Sequence, residues 1–146
     1  MKLLALESSC DETSAAVIED GYIVSNIISS QIELHAQYGG VVPELATREH
    51  LRNVPIVVRE ALNKASIKPS DLDCVAATRG PGLPGALMTG LRAGQSMARA
   101  LKIPFMGIHH HEAHLYSAWI NENKISLDDF KPSIGLIVSG GHTLLV

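Results

Sequence analysis

Leu4-Ala5-Leu6-Glu7-Ser8-Ser9-Cys10-Asp11-Glu12-Thr13 runs from an apolar strand through a small polar turn into a second strand, with a Ser-x-x-x-Thr spacing from Ser9 to Thr13. The segment Gly135-Leu136-Ile137-Val138-Ser139-Gly140-Gly141-His142-Thr143-Leu144-Leu145-Val146 has the same form. Ser139 and Thr143 stand 130 residues beyond Ser9 and Thr13. Two such units point to a duplicated domain whose second copy has begun. Each turn is expected to present backbone N–H groups and hydroxyls to a phosphate, and Gly140 and Gly141 permit close backbone approach. Asp11 would repel a bare phosphate but suits a bridging cation or a donor group.

Outward from that unit, Lys2 to Leu6, Ala15 to Ile18 and Tyr22 to Ile28 read as three short strands, the last two joined by a turn at Asp20-Gly21. A long helix is expected from Pro43 to Ala65, with Leu51, Val54, Val58 and Leu62 as its apolar seam and a kink at Pro55. Leu72 to Thr78 is a strand, Gly85 to Leu101 a helix and Ile103 to Ile108 a strand. A histidine-rich helix, a polar linker and a strand from Ile134 to Val138 follow. The order βββαβαβα implies an α/β fold, a mixed sheet with helices on its faces, as in ribonuclease-H-like domains. The expected division is a first lobe over residues 1–122, a linker over 123–132 and the start of a truncated second lobe over 133–146. Val146 falls inside an apolar run where a paired strand should continue.

Composition bounds the class. A chain of 146 residues, 46% apolar and 18% charged, can bury one core and is neither disordered nor fibrous. The N-terminal apolar stretch meets Glu7 too early for a signal peptide, and no apolar run is long enough to span a bilayer, so a cytoplasmic protein is expected. Cys10 and Cys74 lie far apart without a CxxC spacing, which fits reduced thiols. The net charge of −3 offers no global attraction to nucleic acid. Arg48, Arg52 and Arg59 share a helical face, read as solvated because Glu44, Glu49 and Glu60 lie on the same helix.

Four of the seven histidines fall in His109-His110-His111-Glu112-Ala113-His114. In a helix His110 and His114 are i and i+4, about 6 Å apart along the axis and about 40° around it, so both imidazoles can reach one ion. Zinc, iron, copper and nickel all accept imidazole. The zinc-protease pattern His-Glu-x-x-His would need a histidine at position 115, where Leu115 stands, and the protease geometry fails. Two ligands do not complete a site, so metal binding by this chain alone is expected to be weak.

Gly80-Pro81-Gly82-Leu83-Pro84-Gly85 matches the dinucleotide pattern G-x-G-x-x-G, yet no Asp or Glu occurs between Asp73 and Glu112 to hold a ribose. A structural role is the better account: close backbone approach, and a small-residue face formed by Gly90 and Gly94. The helix from Gly85 to Leu101 is apolar nearly all round and is expected to lie buried between layers.

Six ordered motifs then carry a resemblance that spans the chain: Ser8-Ser9-Cys10-Asp11-Glu12-Thr13, Ser30-Gln31-Ile32-Glu33-Leu34-His35, Tyr38-Gly39-Gly40-Val41-Val42-Pro43-Glu44, Gly80-Pro81-Gly82-Leu83, the histidine run, and Ser139-Gly140-Gly141-His142-Thr143. The chain resembles the N-terminal part of the bacterial tRNA N6-adenosine threonylcarbamoyltransferase family, formerly labelled O-sialoglycoprotein endopeptidase. The resemblance implies an actin-like ATPase fold of two duplicated lobes. It implies transfer of a threonylcarbamoyl group from threonylcarbamoyl-AMP to N6 of the adenosine just 3′ of the anticodon, in tRNAs reading codons that begin with A. It implies one divalent metal, iron or zinc, on His110 and His114, with a third ligand, an aspartate, supplied by the C-terminal lobe. Ile137, Val138, Ser139, Gly140 and Gly141 match the segment that binds the ATP or adenylate ligand, and His142 follows them into the same cleft. Asp11 and Glu12 match acidic residues of the active-site cleft, as candidate catalytic groups.

The resemblance also implies partners: tRNA, an inactive paralogue subunit packed on the N-terminal lobe, and a small ATPase that joins them. The helix from Pro43 to Ala65 is the expected paralogue surface. Two other readings stand beside the transferase, a non-catalytic scaffold paralogue and a metalloprotease. The first is disfavoured by the presence of both metal histidines, the second by their spacing.

Overall fold

A computed structural model of the chain describes residues 1–125, 131–138 and 143–146. The elements are β1 (Lys2–Glu7), β2 (Glu12–Glu19), β3 (Tyr22–Ser30), α1 (Ile32–Ala36), α2 (Pro43–Ala65), β4 (Cys74–Gly80), α3 (Pro84–Leu101), β5 (Phe105–His109), α4 (His110–Tyr116), β6 (Ile120–Asn121), β7 (Lys124–Ile125), β8 (Leu136–Val138) and β9 (Thr143–Leu145). Two short 3-10 turns, Pro69–Asp71 and Ser117–Trp119, complete the path.

The main sheet has the order β5-β4-β1-β2-β3-β7-β6. β1 runs parallel to β4, and β4 to β5, whereas β2 and β3 are antiparallel to their neighbours. Asp20 and Gly21 both take positive φ, 50° and 85°, the backbone that a tight hairpin between right-twisted strands requires. A mixed sheet of this order, flanked by helices, is the ribonuclease-H-like arrangement of an actin-like lobe.

Alternation decides the faces. On β1 and β2, Leu4, Leu6, Ala15 and Val17 point to one side and meet Val54, Val57, Val58, Ala61 and Leu62 of α2, with Ile67, Leu72 and Ala77 closing the cluster. Each buried leucine, valine or isoleucine contributes roughly 1.5–3 kcal/mol by leaving water, and each alanine less. The helix α2 begins at Pro43, where a missing N–H costs nothing, and ends at Ser66 in the left-handed region (φ 57°). It continues through Pro55.

The buried stripe of α2 includes Val54, Val58 and Leu62 of the expected seam but not Leu51. Leu51 is 61% exposed, while His50 beside it is fully buried. His50 turns toward the polar turn after β1, as described below. Leu51 instead faces a groove between α2 and α3. The helix α3 also corrects an expectation: it is not enclosed between layers. Only Ala86, Gly90, Gly94 and Ala98 are buried, a one-sided stripe at i, i+4 spacing, and Met88 is 44% exposed. The stripe lets α3 approach the sheet closely, since a Cβ at Gly94 would crowd Phe105, Ala77 and Leu6.

Past α4 the chain forms a small hairpin. β7 pairs with β3 at Tyr22 and Lys124, with the Lys124 ammonium 5.5 Å from the Tyr22 ring centre. The first sheet therefore reaches Ile125, past the boundary expected at residue 122. β8 and β9 form a separate two-stranded sheet whose pairs are Leu136 with Leu145, Ile137 with Leu144 and Val138 with Thr143. Moved back 130 positions, the first two of these become Leu6 with Ala15 and Glu7 with Ser14, which are pairs of β1 and β2. The two units found in the sequence share one register. Among the described residues no helix is long and apolar enough to cross a membrane.

Candidate active site

The parallel strands β1, β4 and β5 lie side by side, so their carboxyl ends meet at one edge of the sheet, where α/β proteins gather ligands. β1 ends in Glu7, β4 carries Thr78, and β5 passes directly into α4, whose first residue is His110. The three converge. One Glu7 carboxylate oxygen accepts Thr78 Oγ1–H at 2.6 Å and His110 Nδ1–H at 3.0 Å; the other accepts the backbone N–H of Ser9. Burial alone would push the Glu7 carboxyl up. The hydrogen bonds from His110, Thr78 and Ser9 outweigh it and bring it down to about 2. Glu7 is thus a fixed negative charge behind His110.

With Nδ1–H turned to Glu7, the other nitrogen of His110 is left as an acceptor, and His114 Nε2 lies 3.0 Å from it. The helix does this by placing the two residues one turn apart, as expected from their spacing. Two imidazoles on one tetrahedral ion, each nitrogen about 2.0–2.1 Å from it, sit about 3.3 Å apart. The pair therefore fits half of a metal site, and the carboxylate on Nδ1 is the usual orienting partner of a metal-bound histidine. Among the described residues no cluster of three or more His, Cys, Asp or Glu completes such a site. His109 points elsewhere: its Nδ1 is buried without a hydrogen-bond partner among the described residues. Glu112 is exposed and lines neither of the cavities that His110 borders.

The turn between β1 and β2 is held at every residue. Ser8 Oγ–H donates to Ala86 O at 2.8 Å, and the same oxygen accepts Gly90 N–H at 3.0 Å. The Ser9 carbonyl accepts Leu83 N–H, the Cys10 carbonyl accepts His50 Nε2–H, and the Asp11 carbonyl accepts Gln31 N–H. Gly82 packs so tightly here that a Cβ would lie 2.5 Å from the Ser9 carbonyl oxygen. That contact accounts for the glycine-rich loop, as expected of a structural element. It also corrects the phosphate reading of this turn. Ser8, Ser9 and Thr13 are 3%, 2% and 0% exposed, and their hydroxyls are spent on protein partners, with Ser9 Oγ 3.2 Å from His110 Nδ1. The groups left facing outward are Cys10, Asp11 and Glu12. Burial and the charges of Asp11 and Glu7 push the Cys10 thiol up, which makes it a poor nucleophile at neutral pH.

Asp11, Glu12, His110 and His114 line one cavity of about 610 Å³, together with Glu7 and Ser14. Strand alternation explains the placement of Glu12: it shares a face with Ser14 and Ala16, while Thr13, Ala15 and Val17 enter the core. A second cavity of about 490 Å³ lies between α4 and β8 and is bordered by His110, His114, Ile137 and Val138. The histidine pair is common to both. Ser139, Gly140, Gly141 and His142 lie outside the described residues.

The model of the family described as tRNA N6-adenosine threonylcarbamoyltransferase matches residues 22–146. The chain belongs to this family. Proteins named tRNA N6-adenosine threonylcarbamoyltransferase from Chlorobium phaeobacteroides and Clostridioides difficile are 55% and 54% identical to it, over 99% and 98% of its length. One from Trichlorobacter lovleyi is 49% identical over 99% of the chain. The chain spans about 41% of the length of each of these relatives. Among solved structures, YeaZ from Pseudomonas aeruginosa is similar, with a TM-score of 0.58 and 25% identity, covering 74% of this chain and 43% of YeaZ.

The sequence singles out His110, His114, Asp11 and Glu12, which line one cavity, but gives no role to Glu7, Thr78 or His50. Glu7 carried one usable signal: an acidic residue closing the apolar run Leu3-Leu4-Ala5-Leu6, in a strand that belongs in the middle of a sheet. Thr78 and His50 carried none, because their partners are distant in sequence.

Proposed function

We propose that the protein containing this chain transfers a threonylcarbamoyl group from threonylcarbamoyl-AMP to N6 of the adenosine 3′ of the anticodon, in tRNAs reading codons that begin with A. The observation that carries the reading is the converging Nε2 pair of His110 and His114 on a cavity that Asp11 and Glu12 also line. In the reaction a bond forms between N6 and the carbamoyl carbon, the bond from that carbon to the AMP phosphate oxygen breaks, and N6 loses a proton. AMP leaves.

His110 and His114 would hold a divalent iron or zinc ion, with a third ligand from outside this chain, an aspartate of the second lobe. Such an ion supplies Lewis acidity toward the carbamoyl or phosphoryl oxygens. Glu7 keeps His110 in the tautomer that turns Nε2 outward. Asp11 or Glu12 orients the donor and accepts the N6 proton. Ile137, Val138, Ser139, Gly140, Gly141 and His142 receive the adenylate, and support for this is that Ile137 and Val138 border a cavity together with the histidine pair.

The paralogue subunit docks on α2, and the small ATPase bridges the two subunits. Support for that face is the apolar groove of about 1060 Å³ between α2 and α3, which includes Leu51, Val54, Val58 and Met88. The compartment is the cytoplasm. Arg48, Arg52 and Arg59 are exposed, with Arg52 paired to Glu49 at 2.6 Å, and are assigned no tRNA contact.

The test is Asp11→Ala in the full-length enzyme, assayed for transfer to unmodified tRNA alongside bound-metal content. Loss of transfer by about a hundredfold or more with metal retained is expected of a general base or donor-orienting carboxylate. Retained transfer overturns the role of Asp11.

A further inference from the structure

The chemistry proposed above depends on where the turn after β1 holds Asp11, and a histidine outside the cavity governs that turn. His50 is fully buried on α2 and does not line the cavity. Its Nε2 lies 3.0 Å from the Cys10 carbonyl oxygen, which can only accept, so Nε2 carries the proton. In the neutral ring Nδ1 is then an acceptor, and Thr13 Oγ1–H donates to it at 2.8 Å. Gln31 Nε2 approaches the same nitrogen at 3.5 Å, and Gln31 Oε1 accepts His35 Nε2–H at 3.0 Å. The backbone N–H of Gln31 donates to the Asp11 carbonyl at 2.9 Å. Thr13, Gln31, His35 and His50 are all at most 3% exposed.

Burying this much polarity costs free energy that an aliphatic residue on α2 would avoid, even when every group is paired. What an aliphatic residue cannot do is donate to the Cys10 carbonyl. Leu83 N–H holds the peptide before Cys10 and Gln31 N–H the peptide after Asp11, so the Cys10–Asp11 peptide between them is the one that His50 holds.

We propose that His50 is a positioning residue for threonylcarbamoyl transfer: its Nε2–H, held in one tautomer by Thr13, fixes the Cys10 carbonyl and thereby the direction in which the Asp11 carboxylate enters the cavity. The inference rests on the reading of Asp11 as a group of the donor site.

Two substitutions in the full-length enzyme separate positioning from mere stability. His50→Gln places an N–H where Nε2 stood and gives up the acceptor at Nδ1. His50→Asn places an oxygen where Nδ1 stood and no longer reaches Cys10. Each loses one buried hydrogen bond, so the two melting temperatures are expected to fall together. Transfer is expected to separate them, with kcat lowered about tenfold to a hundredfold in H50N at unchanged KM for tRNA, and H50Q close to wild type. Equal losses in both variants, or normal kcat in H50N, overturn the proposal. Should neither variant fold, the ¹⁵N spectrum of the wild-type ring decides: a proton on Nε2 with bare Nδ1 supports it, and a proton on Nδ1 overturns it. Asp11→Ala in the same assay keeps the two readings apart. Retained transfer there removes the role of Asp11, whereas loss there with indistinguishable H50N and H50Q removes only that of His50.

Discussion

The β1–β2 and β8–β9 units pair in one register but meet opposite surroundings. Leu4 and Leu6 are 0% and 4% exposed; the residues 130 positions on, Ile134 and Leu136, are 83% and 63% exposed. The first unit has β4 on one side, β3 on the other and two helices over one face. The second lies against α4, where Gly135 packs on Leu115 and Ile137 is half-buried, while Leu136, Val138 and Leu145 stay exposed. The repeated sequence pattern therefore specifies strand pairing, while burial is conferred by what each unit is packed against. A further difference is chemical. Glu7 corresponds to Ile137, so the unit that orients a histidine carries a charge where the other carries an apolar side chain.

The sharpest way to break this comparison is to truncate the matched pair. Leu4→Ala should destabilise the chain by about 2–5 kcal/mol, as expected of a fully buried leucine. Ile134→Ala should stay within about 0.5 kcal/mol, as exposed sites do. Urea midpoints measure both, and a large effect at Ile134 would mean the second unit is buried in solution.

Acid sharpens the chemical difference. Glu7 titrates at about 2 in the fold against an ordinary value of 4.5, so it stabilises the fold above pH 4.5. That contribution is lost as pH falls from 4.5 toward 2. Its size is about 2–3 kcal/mol, allowing for screening at a side chain that is 29% exposed. Wild type should lose this stability over that window in pH-dependent urea unfolding, and Glu7→Gln should show a shallower fall.

The smallest effect is at the threonines. Thr13→Val removes the hydroxyl that donates to His50 and should cost about 1–2 kcal/mol. Thr143→Val alters an exposed residue and should be nearly neutral by the same measurement. Equal costs would indicate that the second threonine has found a buried partner of its own.

How much of this was legible depended on whether the deciding contact was local. Both ends of α2 could be read, because Pro43 starts a helix by its own geometry and the apolar pattern runs out at Ala65. The Asp20-Gly21 turn and the small-residue stripe of α3 were equally local. The pairing of His110 with His114 was legible because one helix turn carries both histidines. Glu7, Thr78 and His50 were not, since each acquires its role from a neighbour more than 35 residues away. The phase of α2 was legible too, since Val54, Val58 and Leu62 of the expected seam are buried and Leu51 alone is exposed. Leu51 is exposed because it faces the open groove between α2 and α3, and the burial of His50 is set by the distant Cys10 carbonyl. Short elements such as α1 and the β6–β7 hairpin leave no periodicity to detect.

The openness of the second unit has a practical consequence for handling the chain in solution. Ile134, Leu136, Val138 and Leu145 all exceed 60% exposure on a ribbon of two short strands. Ribbons of that kind are marginal in water, and apolar strands with unsatisfied edges recruit one another. These side chains favour self-association of the chain, and since Ile134, Leu136 and Val138 also border the cavity of the histidine pair, Leu145 is the position among them where a polar replacement will reduce association without altering that cavity.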